Sequence, residues 1–170
     1  MRPSLNHINP KDVCAEIGVW QGVFSKDILK CDPSQLHLID PWVSQYPDRY
    51  CLYSCSQDQM DNIFEKVQTS FLNDERVFIH REFSNKAKFK ILFDWVYIDG
   101  DHSYETVKED LNKYYSLIKK GGFLCGHDYT PNTHPSANGG PLRAVNEFIK
   151  EKNLEIIIYQ QFNEFVIIKQ

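Results

Sequence analysis

The stretch Asp94-Trp95-Val96-Tyr97-Ile98-Asp99-Gly100-Asp101-His102-Ser103-Tyr104 sets the architecture. Its first five residues are almost continuously apolar, the pattern of a strand covered on both faces rather than one with a wet side. The strand closes on Asp99-Gly100-Asp101 and a helix opens at once. Ser103 reads as its cap, and Tyr104, Val107, Leu111, Tyr114 and Ile118 recur at three and four residues. Lys119-Lys120-Gly121-Gly122 reads as the stop signal of that helix. A buried strand feeding a crossover helix is the unit from which parallel sheets are built.

The same unit recurs on either side. Upstream, Val13 to Ile17 forms a strand ended by Gly18, and a helix from about Gly22 to Lys30 carries Trp20, Phe24 and Ile28 at fourfold spacing. Leu36 to Ile39 is a second strand, closing on Asp40 and stopped by Pro41. After a polar, aromatic stretch from Trp42 to Cys55, Ser56-Gln57-Asp58-Gln59 spells a capping box, and Met60, Ile63, Phe64, Val67 and Phe71 supply an apolar stripe. Val77 to Ile79 is a third strand. Downstream, Phe123 to Cys125 starts a fifth strand that delivers Gly126-His127-Asp128-Tyr129, and Pro141 suits the first turn of a helix with Leu142, Val145, Phe148 and Ile149. Leu154 to Tyr159 and Phe165 to Ile168, joined by a short polar link, predict an antiparallel hairpin. The expectation is one α/β domain over residues 1–170: an open, seven-stranded, mostly parallel sheet with helices on both faces. Such sheets bind ligands beyond the carboxyl ends of their strands.

Composition narrows the function classes. Hydrophobic residues at 42%, with 11 Phe, 9 Tyr and 3 Trp, exclude disorder. A net charge of -4 disfavours a broad affinity for nucleic acid or anionic membrane. Five cysteines without a C-x-x-C pair read as free thiols in a reducing compartment. Cys51 and Cys55 lack the further ligands that zinc requires. No run reaches the length of a membrane span and Met1 to Pro10 has no signal-peptide core, so a cytoplasmic location is expected.

Chemistry gathers at the strand ends. Glu16-Ile17-Gly18-Val19-Trp20-Gln21-Gly22 departs from the dinucleotide fingerprint, with an acid where a pyrophosphate would approach. Asp40, Asp99, Asp101 and Asp128 end other strands, so five acids are expected on one rim. Two like charges ~4 Å apart cost ~4 kcal/mol at an effective dielectric of ~20, so the rim must be hydrated, protonated or paired with positive charge. A cationic ligand answers that need. S-adenosylmethionine carries a sulfonium, an α-amino group and a ribose diol, and Asp40 lies near the ~20-residue offset at which ribose-binding acids follow the glycine turn.

Asp99-Gly100-Asp101-His102-Ser103-Tyr104-Glu105 and Gly121-Gly122-Phe123-Leu124-Cys125-Gly126-His127-Asp128-Tyr129 make the likeness specific. With Ala15-Glu16-Ile17-Gly18-Val19-Trp20, Leu38-Ile39-Asp40-Pro41-Trp42 and Leu142-Arg143-Ala144-Val145-Asn146-Glu147-Phe148, they make the chain resemble class I S-adenosylmethionine-dependent methyltransferases. Within that class it is similar to a small-molecule O-methyltransferase-like group, and the likeness spans nearly the whole chain. The resemblance implies a Rossmann-like sheet. It implies that Glu16, Gly18 and Gly22 hold the methionine end, Asp40 the ribose, and Trp42 or the Glu82-Phe83-Ser84 turn the adenine, with Trp20 also among the cofactor-binding residues. Asp99 would lie beside the methionine portion or a metal, and Asp99 with Asp128 would be the ligands of a Mg2+ ion. Histidine at 127, where antibiotic-modifying relatives have another acid, departs from what that ion takes.

The expected reaction is methyl transfer to a small polar acceptor, a hydroxyl foremost, with Asp101, His102 and His127 as candidate bases. Acceptor contacts are expected from Trp42 to Cys55, from Thr130 to Gly140, or from another subunit of a homo-oligomer. Two rivals stand beside it: a degenerate cofactor-binding module that serves a partner subunit, and an NAD-dependent oxidoreductase or epimerase, against which the missing third glycine and Glu16 speak.

Overall fold

The computed structural model describes residues 1–44, 55–131 and 139–170. A 3-10 turn at Pro3–His7 precedes β1 (Val13–Ile17), α1 (Val23–Leu29), β2 (Gln35–Ile39), α2 (Gln57–Phe71), β3 (Val77–His80) and β4 (Phe93–Ile98). Then come α3 (Tyr104–Ser116), β5 (Ile118–Gly126), α4 (Gly140–Lys152), β6 (Ile156–Tyr159), a 3-10 turn at Gln160–Phe162 and β7 (Glu164–Ile168). The strands form one seven-stranded sheet in the order β3-β2-β1-β4-β5-β7-β6. The pairs from β3 to β5 are parallel, and β7 runs antiparallel to both β5 and β6. This is the Rossmann-like, mostly parallel sheet with an antiparallel C-terminal hairpin that the sequence implied.

Helix starts follow the local chemistry. Ser56 closes a full capping box with Gln59, and the Ser103 hydroxyl accepts from the Thr106 amide. One face of the sheet is covered by α3 and α4, with Phe93, Val96, Leu111, Tyr114, Phe148 and Phe165 in its core. The other lies under α1, α2 and the N-terminal turn, around Leu38, Trp42, Trp95 and Tyr97.

Two boundaries differ from the sequence reading. Lys119 to Gly122 belong to β5, because Ile118 pairs with Phe93, the Gly121 amide donates to Lys169 and the Lys169 amide donates to Gly122. Tertiary pairing thus overrides a local helix-stop pattern. Leu154 is not in β6: its N–H is spent on the Ile149 carbonyl at 2.9 Å, closing α4 through left-handed Asn153. The N-terminal stretch, polar in composition, buries Ser4, Leu5 and Ile8 against β5 and β7.

The register levels the strand ends. Ile17 sits opposite both Ile39 and Ile98, Ile39 opposite His80, and Ile98 opposite Gly126. The residues that follow, Gly18, Asp40, Arg81, Asp99 and His127, therefore leave the sheet along one rim. Between β1 and β4 the strand order reverses, and there the two turns nearly touch. Gly18 has φ +85°, and a Cβ on it would lie 2.2 Å from the Asp99 carbonyl oxygen.

Gly18→Ala should therefore cost more than about 3 kcal/mol in urea denaturation, since it adds backbone overlap to strain. Gly121→Ala, with φ +82° but nothing within 4 Å of the added carbon, should cost only about 1–2 kcal/mol. Equal losses would show that the approach to Asp99 carries no constraint of its own.

Candidate active site

Each rim acid meets a different environment. Glu16 points from β1 toward α1 and is buried, accepting a hydrogen bond from the Ser25 hydroxyl. Burial pushes its carboxyl up to about 8, with the negative charge of Asp99 adding to the shift and the Ser25 hydrogen bond opposing it. Glu16 is thus mostly protonated at neutral pH. Asp40 accepts from the amides of Val19 and Trp20, each at 3.0 Å, and of Trp42 at 2.7 Å. Burial raises its pKa while these three N–H groups resist. The acid at the end of β2 therefore shapes the glycine turn after β1. Asp101 accepts from the Ser103 amide at 2.6 Å, fixing the entry to α3.

Asp99 and Asp128 form one cluster with both histidines. His102 Nε2 lies 3.2 Å from Asp128 Oδ2 and 3.6 Å from Asp99 Oδ1. His127 Nδ1 lies 3.3 Å and 3.8 Å from the same two oxygens. Burial lowers both imidazole pKa values, but the two carboxylates outweigh it and hold them above the usual range. Asp128 moves the other way, since burial would raise it and the two imidazoles more than compensate. Asp99, Asp101, His102 and His127 line one small cavity bounded by Val107 and Phe165.

The acid-rich rim is partly compensated within the chain. Arg2, from the N-terminal turn, donates from Nη1 to Asp99 Oδ2 at 3.2 Å and to the Tyr97 hydroxyl, and its Nε lies 3.9 Å from Glu164 Oε1. Tyr97 in turn donates to fully buried Glu164 at 2.6 Å. Sequence reading missed Arg2, Tyr97 and Glu164. Only Glu164 left a signal, as an acid opening an otherwise apolar strand.

The expected adenine contacts separate. Trp42 is fully buried, its indole N–H donating to the Trp20 carbonyl at 2.9 Å and its ring packed 5.0 Å from Phe64. Its side chain belongs to the core rather than to an open surface. Phe83 is 47% exposed, on a turn whose next carbonyl, that of Ser84, accepts from Lys113 Nζ and the Tyr114 hydroxyl. Trp20 and Gly22 shape the turn after β1, with φ of 53° and 70°. Most of the two expected acceptor loops, residues 45–54 and 132–138, lies outside the described residues, as do Cys51 and His134. Cys14, Cys31, Cys55 and Cys125 are free thiols.

Two groups were expected to bind here. Asp99, His102 and Asp128 offer ligand atoms within 4.8 Å of one another, but with His127 beside them half of the donors are imidazole. That set does not fit Mg2+, which takes near-octahedral oxygen ligands. A nucleoside-linked zwitterion fits better. Asp40 and Asp99 flank the Gly18 turn from its two sides, a placement compatible with a nucleoside-linked cation.

A family model described as a methyltransferase domain matches residues 15–129, and the chain belongs to that family. The uncharacterized protein R132 of Acanthamoeba polyphaga mimivirus is 31% identical over 96 residues, which cover 49% of this chain and 43% of that protein. The chain thus spans less than half the length of that relative. SMU.1697c of Streptococcus mutans, solved in complex with SAH, superposes with a TM-score of 0.68 at 12% identity, over 98% of this chain and 93% of that one. The O-methyltransferase NovP gives a TM-score of 0.65 at 18% identity, over 98% and 76%. At these identities the two structures establish the fold. No helix among the described residues is long and apolar enough to cross a membrane.

The protonation of Glu16 sets a pH dependence. Its folded pKa of about 8 exceeds the ordinary 4.5, so the folded state binds the extra proton and stability falls as pH rises through that interval. Glu16→Gln, which does not titrate, should match the wild type in unfolding free energy from urea denaturation near pH 5 and exceed it by up to about 4 kcal/mol near pH 8.5. Parallel curves would place the proton elsewhere.

Proposed function

We propose that this chain is a single-domain, cytoplasmic S-adenosylmethionine-dependent methyltransferase acting on the hydroxyl of a small polar acceptor. The observation that carries the reading is the pairing of His102 and His127 with Asp99 and Asp128, next to the rim where Asp40 and Asp99 flank the Gly18 turn. When bound, the cofactor supplies an electrophilic methyl group on a sulfonium, open to in-line displacement.

The chain's own residues do the rest. Asp40 keeps the turn after β1 in place through three amides and retains acceptor capacity for a ribose hydroxyl. Gly18 and Gly22 let that turn adopt positive φ, and Trp20 frames it. Phe83 and Ser84 offer an apolar ring and a turn to the adenine, while buried Trp42 braces the turn after β1 through its indole bond to the Trp20 carbonyl. Neutral Glu16 acts as a hydrogen-bonding floor. Toward the acceptor, His102 and His127 are the general bases. An imidazole takes the hydroxyl proton and the carboxylates Asp99 and Asp128 stabilise the imidazolium that results. Asp101 orients this pair by fixing the turn that carries His102.

The rival of a degenerate module that binds cofactor for a partner subunit has the same rim but needs no titrating base, so the tests separate the two. S-adenosylhomocysteine should raise the melting temperature of the wild type, and Asp40→Ala should lose that shift. Across a panel of small hydroxylated acceptors, kcat/KM should rise with pH through a midpoint above 6.5, because both imidazoles must lose their protons to serve as bases. Replacing both histidines with Asn should lower kcat about 100- to 10,000-fold while the thermal shift is retained. Intact ligand binding with no turnover on any acceptor would favour the module, and stabilisation by NAD alone would remove the methyltransferase reading.

A further inference from the structure

Arg2 takes no part in the chemistry above, yet it is held by several groups at once. Its guanidinium carbon lies 4.5 Å from the Phe24 ring centroid and 5.3 Å from that of Tyr97, so aromatic faces on α1 and β4 fix its plane. The turn that carries it is anchored in turn. The Ser4 amide donates to Glu164 Oε2 at 3.1 Å, and the Trp95 indole donates to the Ser4 carbonyl at 3.2 Å. Nη1 is spent on Asp99 and Tyr97, and Nε faces Glu164. Nη2 has no partner among the described residues, and the side chain is 31% exposed. A guanidinium presents five N–H donors in a planar fork that matches a carboxylate. Here Nη1 and Nε are tied to the protein, and the side chain keeps part of its surface exposed beside Asp99.

We propose that Arg2 binds the α-carboxylate of the cofactor's amino-acid portion, while the adjoining Asp99 receives its α-ammonium. The inference rests on the S-adenosylmethionine reading given above. A zwitterion carries opposite charges on neighbouring atoms of one carbon, and a site that reads it needs an anion and a cation in contact. Among the described residues no other Arg or Lys pairs with Asp99, and Asp99 stands against the Gly18 turn. Glu16, mostly protonated at neutral pH, is a poor partner for the ammonium, which leaves that part to Asp99. Arg2 is thus a binding residue for which the family motifs give no signal.

The test compares three probes by calorimetry: S-adenosylhomocysteine, its decarboxylated analogue, which keeps the amine, and 5′-methylthioadenosine, which lacks the amino-acid portion. On the wild type, loss of the carboxylate should weaken binding about 10- to 100-fold, the range of a charge-assisted pair. Arg2→Met should weaken S-adenosylhomocysteine by a similar factor, leave both truncated probes unchanged and abolish the preference for the carboxylate. Arg2→Lys should fall between. The wild-type comparison stands even if Arg2→Met unfolds. Equal binding of S-adenosylhomocysteine and its decarboxylated analogue by the wild type overturns the inference alone. So does tighter binding of S-adenosylhomocysteine by Arg2→Met, which would make Arg2 a competitor for Asp99. A wild type that binds none of the three overturns the cofactor reading as well.

Discussion

The contact between the turns after β1 and β4 is the constraint on which the rest of the molecule depends. Gly18 lies so close to Asp99 and Gly100 that a single added carbon would meet backbone atoms. That approach is possible only because parallel pairing levels Ile17 with Ile98 and Ile39, so three chains leave the sheet at one height. The glycine is as much a packing requirement as a means of approaching a ligand. With the turns together, Asp40 reaches the amides of Val19 and Trp20, and Asp99 lies within reach of Arg2 and both histidines.

Bringing carboxylates together at the edge of an apolar sheet raises the electrostatic cost, and the fold answers each case differently. Glu16 takes a proton. Asp40 is met by backbone dipoles. Asp99 and Asp128 share two imidazoles, and Asp99 and Glu164 share Arg2. A repulsive crown thus becomes a set of polarised pairs whose protons are placed by environment rather than by residue type. Both imidazoles are held above their usual range by the carboxylates they share, so they keep their protons to higher pH than a free imidazole would.

Local sequence carried much of the architecture. The apolar run before Asp99, the capping box at Ser56, the Ser103 cap and the Pro141 helix start are written within a few residues each, and they appear where expected. The errors fell where a distant partner decides. Gly121 and Gly122 look like a helix stop, yet pairing with Phe93 and Lys169 draws them into β5. Trp42, which the resemblance implies as an adenine contact, has its indole N–H on the Trp20 carbonyl and its ring in the core, a placement its own neighbours in sequence do not dictate.

The sequence by itself determined the alternation of strands and helices, the acids that end them and the methyltransferase-like motifs, because periodicity, caps and turn chemistry act over a handful of residues. Tertiary structure decided the protonation of Glu16, the sharing of Asp99 and Asp128 between two imidazoles, and the arrival of Arg2 at Asp99, 97 positions away. Those outcomes depend on desolvation and on charges that meet only after the sheet has closed, and neither quantity exists in an extended chain.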